Sequence, residues 1–237
     1  MSAGRTLLAP ERRIAPAHRT HADAHTDAHT DTHAGADTHA DGHAAPLSCD
    51  RGARLAALVR RQLALIGEDP DREGLLRTPD RVDRMYRELT EGYRVDPDSL
   101  IGDAQFSVDY DEMVVVRDIE FFSLCEHHLL PFHGSVHVGY LPRGKVIGLS
   151  KIPRVVEMYA RRLQVQERMT QQIATFLMER LDPKGVGCVV EAAHLCTMMR
   201  GVKKAQARMV TSSMLGRFRR DEKTRTEFLT LIGRTSS

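Results

Sequence analysis

Apolar side chains fall into two rhythms along this chain. Leu55, Leu58, Val59, Leu63 and Ile66 recur at helical spacing, and Gly67 follows as a stop. Thr78-Pro79-Asp80 reads as a helix start: Thr78 as cap, proline at the first helical position, an acid in the first turn. Val82, Met85, Tyr86 and Leu89 form the apolar stripe of that helix, and Gly92 is expected to end it. The rhythm then shortens. Met113 to Ile119 is β-branched and strand-like, and in Gly134 to Leu141 the valines Val136 and Val138 alternate with His137 and Gly139. Ile152 to Leu163 and Gln166 to Leu181 return to the helical period. Gly185 to Cys196 and Ala205 to Ser213 read as a second strand pair, and Glu222 to Ile232 as a closing helix. This order predicts an α+β fold of antiparallel hairpins, with helices stacked on one face of the sheet.

Residues 1–48 follow neither rhythm. They are rich in Ala, Thr, Asp and His, and hold His18, His21, His25, His29, His33, His39 and His43 of the chain's 12 histidines. Such a segment buries too little apolar surface to offset its ordering entropy, so it is expected to be a disordered, solvated tail. His21, His25, His29 and His33 recur every four residues with Asp23, Asp27 and Asp31 between them, and weak metal capture is the second reading. The folded part is expected at 49–237, with a helical section at 49–110 and the strands and long helices at 111–237.

Composition narrows the class. The chain has 237 residues, 41% hydrophobic and 28% charged, an ordinary globular mix of one or two domains. A net charge of +2 argues against a dedicated nucleic-acid binder. No apolar run approaches a membrane span, and the first residues lack the pattern of a secretion signal. Cys49, Cys125, Cys188 and Cys196 do not form a disulfide framework in a chain this long, so a reducing, cytoplasmic setting is expected.

The chemistry concentrates in two short segments. Cys125-Glu126-His127-His128 places two metal-ligand types three residues apart, a turn that can close on one ion, and His194-Leu195-Cys196 offers another thiolate with a histidine beside it. Cys125, His128 and Cys196 make three zinc ligands, not four, the count of a catalytic site that keeps a position for water. Adjacent His127 and His128 do not both face one ion easily, which leaves His127, with His194, to move protons near neutral pH. In a strand His194 and Cys196 would point to the same face. Cys188 reads as a small core hydrophobe, Cys49 as an uninvolved thiol, and His133 and His137 as structural or surface residues.

The stretch Phe122-Ser-Leu-Cys-Glu-His-His-Leu-Leu-Pro-Phe-His-Gly134 resembles the GTP cyclohydrolase I family. So do Ile147-Gly-Leu-Ser-Lys-Ile-Pro-Arg154, Gln164-Val-Gln-Glu-Arg-Met-Thr-Gln-Gln172, His194-Leu-Cys196 with Arg200-Gly-Val202, Thr211-Ser212 and Arg225-Thr-Glu-Phe-Leu229. Several independent motifs in one order, from about residue 50 onward, are far more specific than any short pattern. The resemblance implies the tunnelling fold, an antiparallel sheet with helices on one side. It further implies a barrel-like multimer, a homodecamer of two pentameric rings with active sites between subunits. The implied reaction takes GTP and water to 7,8-dihydroneopterin triphosphate and formate, the entry to tetrahydrofolate and other pterins.

Carried onto this chain, the resemblance makes Cys125, His128 and Cys196 the zinc ligands, with activated water attacking C8 of the guanine. It makes His194 and His127 the acid/base pair and Ser150 a helper in the later ribose stage. Glu167 is expected to accept from guanine N1 and the 2-amino group, with Gln166 beside it as another polar contact. Lys151, Arg154 and Arg200 are expected on the triphosphate, with Arg81 as a further candidate. Two other readings remain: a related tunnelling-fold enzyme acting on a pterin or deazapurine, and a zinc-buffering protein built on the His-rich tail.

Overall fold

The computed structural model describes residues 49–102 and 104–233, so the readings made for residues 1–48 lie outside the described residues. Helices α1 (Cys49–Leu65) and α2 (Thr78–Leu89) pack on each other at the start. A 3-10 turn (Glu91–Arg94), α3 (Pro97–Ile101) and β1 (Gln105–Ser107) lead into the long strands β2 (Val114–Cys125) and β3 (Pro131–Leu141). Then come β4 (Lys145–Ile147), α4 (Lys151–Ala160), β5 (Leu163–Gln164) and α5 (Gln166–Leu181). β6 (Gly185–His194), α6 (Leu195–Met198), β7 (Met209–Gly216), α7 (Arg217–Arg220) and α8 (Glu222–Leu231) complete the chain.

The main sheet runs β5-β2-β3-β6-β7, and β1 pairs with β4 in a separate ribbon. Neighbours β2, β3, β6 and β7 are antiparallel; the short edge strand β5 is parallel to β2, so the sheet is mixed rather than purely antiparallel. Alternation sends Val136, Val138 and Tyr140 of β3 and Val186, Cys188 and Val190 of β6 to one face. There they meet Val155 and Val156 of α4 and Met169, Ile173 and Leu177 of α5. Strand β2 keeps that register only through a bulge between Val116 and Ile119, where Asp118 sits at φ 59. Without the extra residue, Val116 and Ile119 would face opposite sides; with it, Val116, Ile119 and Phe121 all join the same core.

Helices do not stay on one face. Phe218 of α7 and Phe228 of α8 form a second apolar cluster with Leu141 and Val189 on the opposite side of the sheet. Gly139 and Gly187 make this possible: a Cβ on either would come within 2.7 and 2.6 Å of those phenylalanine rings. The period of Glu222 to Ile232 marked a helix but could not say which face of the sheet had been left bare by glycine.

Helix ends also differ in detail. Gly67, at φ 91, follows α1 as expected. Thr78 is the first residue of α2 rather than its cap, and Arg77 precedes it without a side-chain cap bond. Gly92 does not end α2. It is buried in the 3-10 turn, where its N–H donates to Arg161 O at 3.0 Å and a Cβ would lie 2.1 Å from Met158 O. Its role is close approach to α4.

Candidate metal centre and proton-transfer site

Strand β2 ends at Cys125 and β3 starts at Pro131, with Leu124 opposite Pro131. The Phe122–Gly134 motif is therefore strand, tight turn and strand. The Cys125 carbonyl accepts from the N–H groups of His128 (3.3 Å) and Leu129 (2.8 Å), and the Cys125 N–H donates to Leu130 O at 2.9 Å. Leu129 at φ 54 closes the reversal. Outside the turn, Glu126 N–H donates to Gln164 O at 3.1 Å, tying it to β5. Arg168 adds a clamp: it ion-pairs with Glu126, and its guanidinium also donates to Gln164 Oε1 and Leu163 O, each at 3.1 Å.

The turn delivers the Cys125 sulfur 3.9 Å from His128 Nδ1. Cys196 arrives from β6 by a different route than expected. The strand stops at His194, and Leu195–Met198 is a short helix, so His194 and Cys196 do not share a strand face. The chain coils because Thr197 Oγ1 donates to His194 O at 3.0 Å and Met199 N–H to Leu195 O. The outcome is still convergence: one donor atom each from Cys125, His128 and Cys196 lies within 4.8 Å of the others.

These donors fit a zinc ion. Tetrahedral bonds of about 2.3 Å to sulfur and about 2.0 Å to nitrogen imply donor separations of about 3.5–3.8 Å, a small contraction from what is seen. The electrostatics agree. Burial pushes the Cys196 thiol up, and the neighbouring Cys125 sulfur pushes it further, against a weaker pull from Arg200. Two buried sulfurs side by side resist ionising together, and a divalent cation reverses that balance. Cys125 and Cys196 are 6% and 7% exposed, whereas His128 is open to solvent.

Five further sequence-predicted residues join this end of the sheet. His127 is exposed, with Nδ1 3.9 Å from the Cys125 sulfur, but it is not among the converging donors. His194 stacks on Phe132 at 4.7 Å, and its Nε2 meets Gln166 Oε1 at 2.8 Å. Burial pulls the His194 imidazole down from its ordinary range and the Glu167 carboxylate opposes this, so Glu167 lies within electrostatic reach. Arg200 stands in the same relation to Cys196. The expected substrate contact at Gln166 meets a side chain 1% exposed, whose amide nitrogen is spent on Val190 O, Met209 O and Thr211 Oγ1.

Ser150, Lys151 and Arg154 are elsewhere. β3 carries the chain 11 residues away from the turn, and α4 then leads back to it, where Leu163 pairs with Leu124. Ile147 N–H donates to the Tyr140 hydroxyl at the far end of β3, and α4 begins there. Ser150 and Arg154 are exposed, and Lys151 Nζ donates to Leu100 O at 2.9 Å. A cavity of about 540 Å³ opens beside α4, lined by Arg154, Arg94, Arg161, Glu91 and Glu157, and no metal-centre residue lines it. Arg81 is exposed on α2, whose principal contacts are α1 and the 3-10 turn.

Sequence reasoning missed Phe132, Arg168 and Glu126 as parts of the site. Phe132 was findable, since alternation from Val136 and Val138 puts it on the helix-facing side. The Arg168–Glu126 pair spans 42 residues and left no local signal.

Fold and site together define a group able to hold a metal ion: two cysteine sulfurs and an imidazole at one end of a mixed sheet, with a second histidine, His194, beside them. The family profile described as GTP cyclohydrolase I matches residues 55–233. The curated GTP cyclohydrolase 1 of Campylobacter lari is 58% identical over 174 residues, covering 73% of this chain and 92% of that protein. That of Methylococcus capsulatus is 60% identical over 169 residues, 71% of this chain and 91% of that protein. An archaeosine synthase, QueF-Like in the apo form, overlaps 46% of this chain and 97% of its own at 17% identity and a TM-score of 0.38, too loose a likeness to carry an argument. This chain belongs to the GTP cyclohydrolase I family.

Proposed function

We propose that this chain is a zinc-dependent GTP cyclohydrolase I, converting GTP and water to 7,8-dihydroneopterin triphosphate and formate at the start of tetrahydrofolate or pterin synthesis. The observation that carries the reading is the convergence of Cys125, His128 and Cys196 beside His194, in a chain of this family. Those three residues hold the ion. When bound, zinc supplies water activation at neutral pH.

The remaining roles belong to protein groups. His194 donates a proton to the imidazole-ring nitrogen of guanine as that ring opens, and His127, exposed beside the Cys125 sulfur, is the second acid/base. Glu167 accepts from guanine N1 and the 2-amino group, a pairing that adenine leaves unsatisfied. Arg200 takes triphosphate charge from the metal end, while Lys151 and Arg154 take it from the far end of another subunit, with Ser150 assisting the ribose stage.

A second copy suits this reading, because Arg154 faces a cavity beside α4 that no metal-centre residue lines. The sheet offers the means. β7 is an edge strand, and β5 covers β2 only at Leu124 and Cys125, so β2 has an open edge along Val114 to Ser123. Such edges join copies into a closed barrel-like ring, consistent with two stacked pentamers. No helix among the described residues is long and apolar enough to cross a membrane. Cys125, Cys188 and Cys196 are free thiols, which suits a reducing cytoplasm.

Metal analysis paired with GTP turnover on one sample tests the proposal. Turnover should track zinc content, and full turnover by metal-free protein would contradict it. His194→Ala should keep zinc and stop ring opening, read as lost formate release.

A further inference from the structure

His194 Nε2 and Gln166 Oε1 lie 2.8 Å apart, and the far end of Gln166 settles which of them carries the hydrogen. Gln166 Nε2 sits 3.1 Å from Val190 O, 3.0 Å from Met209 O and 3.1 Å from Thr211 Oγ1. Backbone carbonyls only accept, so the atom between them is the amide nitrogen. A reversed amide would aim its oxygen at two carbonyl oxygens inside a side-chain site that is 1% exposed. The hydroxyls agree. Thr170 Oγ1 spends its hydrogen on Gln166 O at 2.7 Å, so Thr211 donates to Thr170 across 2.7 Å and its oxygen is left to accept from Gln166. Gln166 Oε1 is therefore an acceptor, and an acceptor facing His194 Nε2 demands a hydrogen there. Phe132, parallel to the imidazole within 5°, holds the ring plane.

We propose that Gln166 is a positioning residue that locks neutral His194 as its Nε2–H tautomer, so that His194 exchanges its reaction proton through Nδ1 alone. That His194 moves a proton at all rests on the function proposed above. In the donating direction His194 starts as the imidazolium: the N–H bond at Nδ1 breaks as an N–H bond forms on the guanine ring nitrogen, leaving neutral His194 with its hydrogen on Nε2, donated to Gln166 Oε1. The carbonyls that set this arrangement belong to β6 and β7, so the scaffold itself dictates which edge of the imidazole serves the substrate. The Gln166 amide has no hydrogen left for guanine, which separates its role from that of its neighbour Glu167.

Solid-state NMR of the zinc-loaded oligomer, labelled with ¹⁵N-histidine, tests the lock. The His194 signals are those absent from His194→Ala. The expected result is hydrogen on Nε2 and not on Nδ1 of neutral His194 in the wild type, unchanged in Thr211→Val because both carbonyls remain. Gln166→Met should release the tautomer and lower kcat about 10- to 100-fold with zinc content and the KM for GTP held. Hydrogen on Nδ1 in the wild type overturns the lock, and so does a Gln166→Met variant that raises KM with kcat intact. The wild-type and Thr211→Val spectra decide even if Gln166→Met fails to fold. Normal formate release by His194→Ala would sink the proposed proton role instead, while the spectra still report on the lock.

Discussion

The two ends of the sheet obey different rules. At the turn end, three donor atoms converge within 4.8 Å, and the residues around them are held by their neighbours: Cys125 by the turn, Glu126 by Arg168, His194 by Gln166 and Phe132. At the other end, Ser150 and Arg154 stand exposed, and Lys151 is occupied by the Leu100 carbonyl. One end is organised before any ligand arrives; the other presents loose charge at a surface. Metal chemistry tolerates little positional error, so its supporting bonds are built into the fold. On the proposed function, triphosphate charge falls to long, adaptable side chains, which a neighbouring copy could bring to the site.

The comparison breaks most sharply at the metal. Cys196→Ala should take both zinc content and pterin formation to background, read by metal analysis and by fluorescence after oxidation. Retained activity would mean that the turn end is not the reacting centre. At the opposite end, Arg154→Ala should keep zinc but raise the KM for GTP about 10- to 100-fold, the scale of one lost charge-assisted contact. Mixing these two variants, assayed at GTP well below the raised KM so that each alone turns over little, sharpens the contrast further. If each site takes its metal end from one subunit and its cations from the next, randomly mixed oligomers regain about a quarter of wild-type turnover. No recovery at all would put both ends of the site in one chain.

Smaller effects probe the support of each region. Arg168→Ala releases Glu126 and should weaken zinc about tenfold in a chelator competition, with secondary structure retained. Gly187→Ala pushes a methyl against Phe218 and Phe228 on the face away from the metal; it should cost about 1–3 kcal/mol in denaturant unfolding and leave zinc affinity alone. A loss of zinc in that variant would show that the two faces of the sheet are coupled.

How legible each part was depended on range. Helix α5 was predicted with the boundaries it has, because its period is local. Strands β2 and β3 were predicted short at the turn, since the apolar pairs Phe121-Phe122 and Leu124-Cys125 break a clean alternation and Pro131 opens β3. The three converging donors were legible through spacing and residue type. The route of Cys196 was not, because a four-residue helix leaves no periodic trace. Gln166 was placed on the substrate, although its partners Val190, Met209 and Thr211 lie 24, 43 and 45 residues away.

Side-chain chemistry and local period were enough to name the three converging donors and most of the helices and strands, because ligand softness and backbone repeat are properties of neighbouring residues. Folding in three dimensions assigned the rest: which face α8 covers, that Gln166 meets His194, and that Arg154 lines a cavity away from the metal donors. Those outcomes depend on contacts between residues distant along the chain, and a one-dimensional pattern carries no record of which distant groups will share a hydrogen bond.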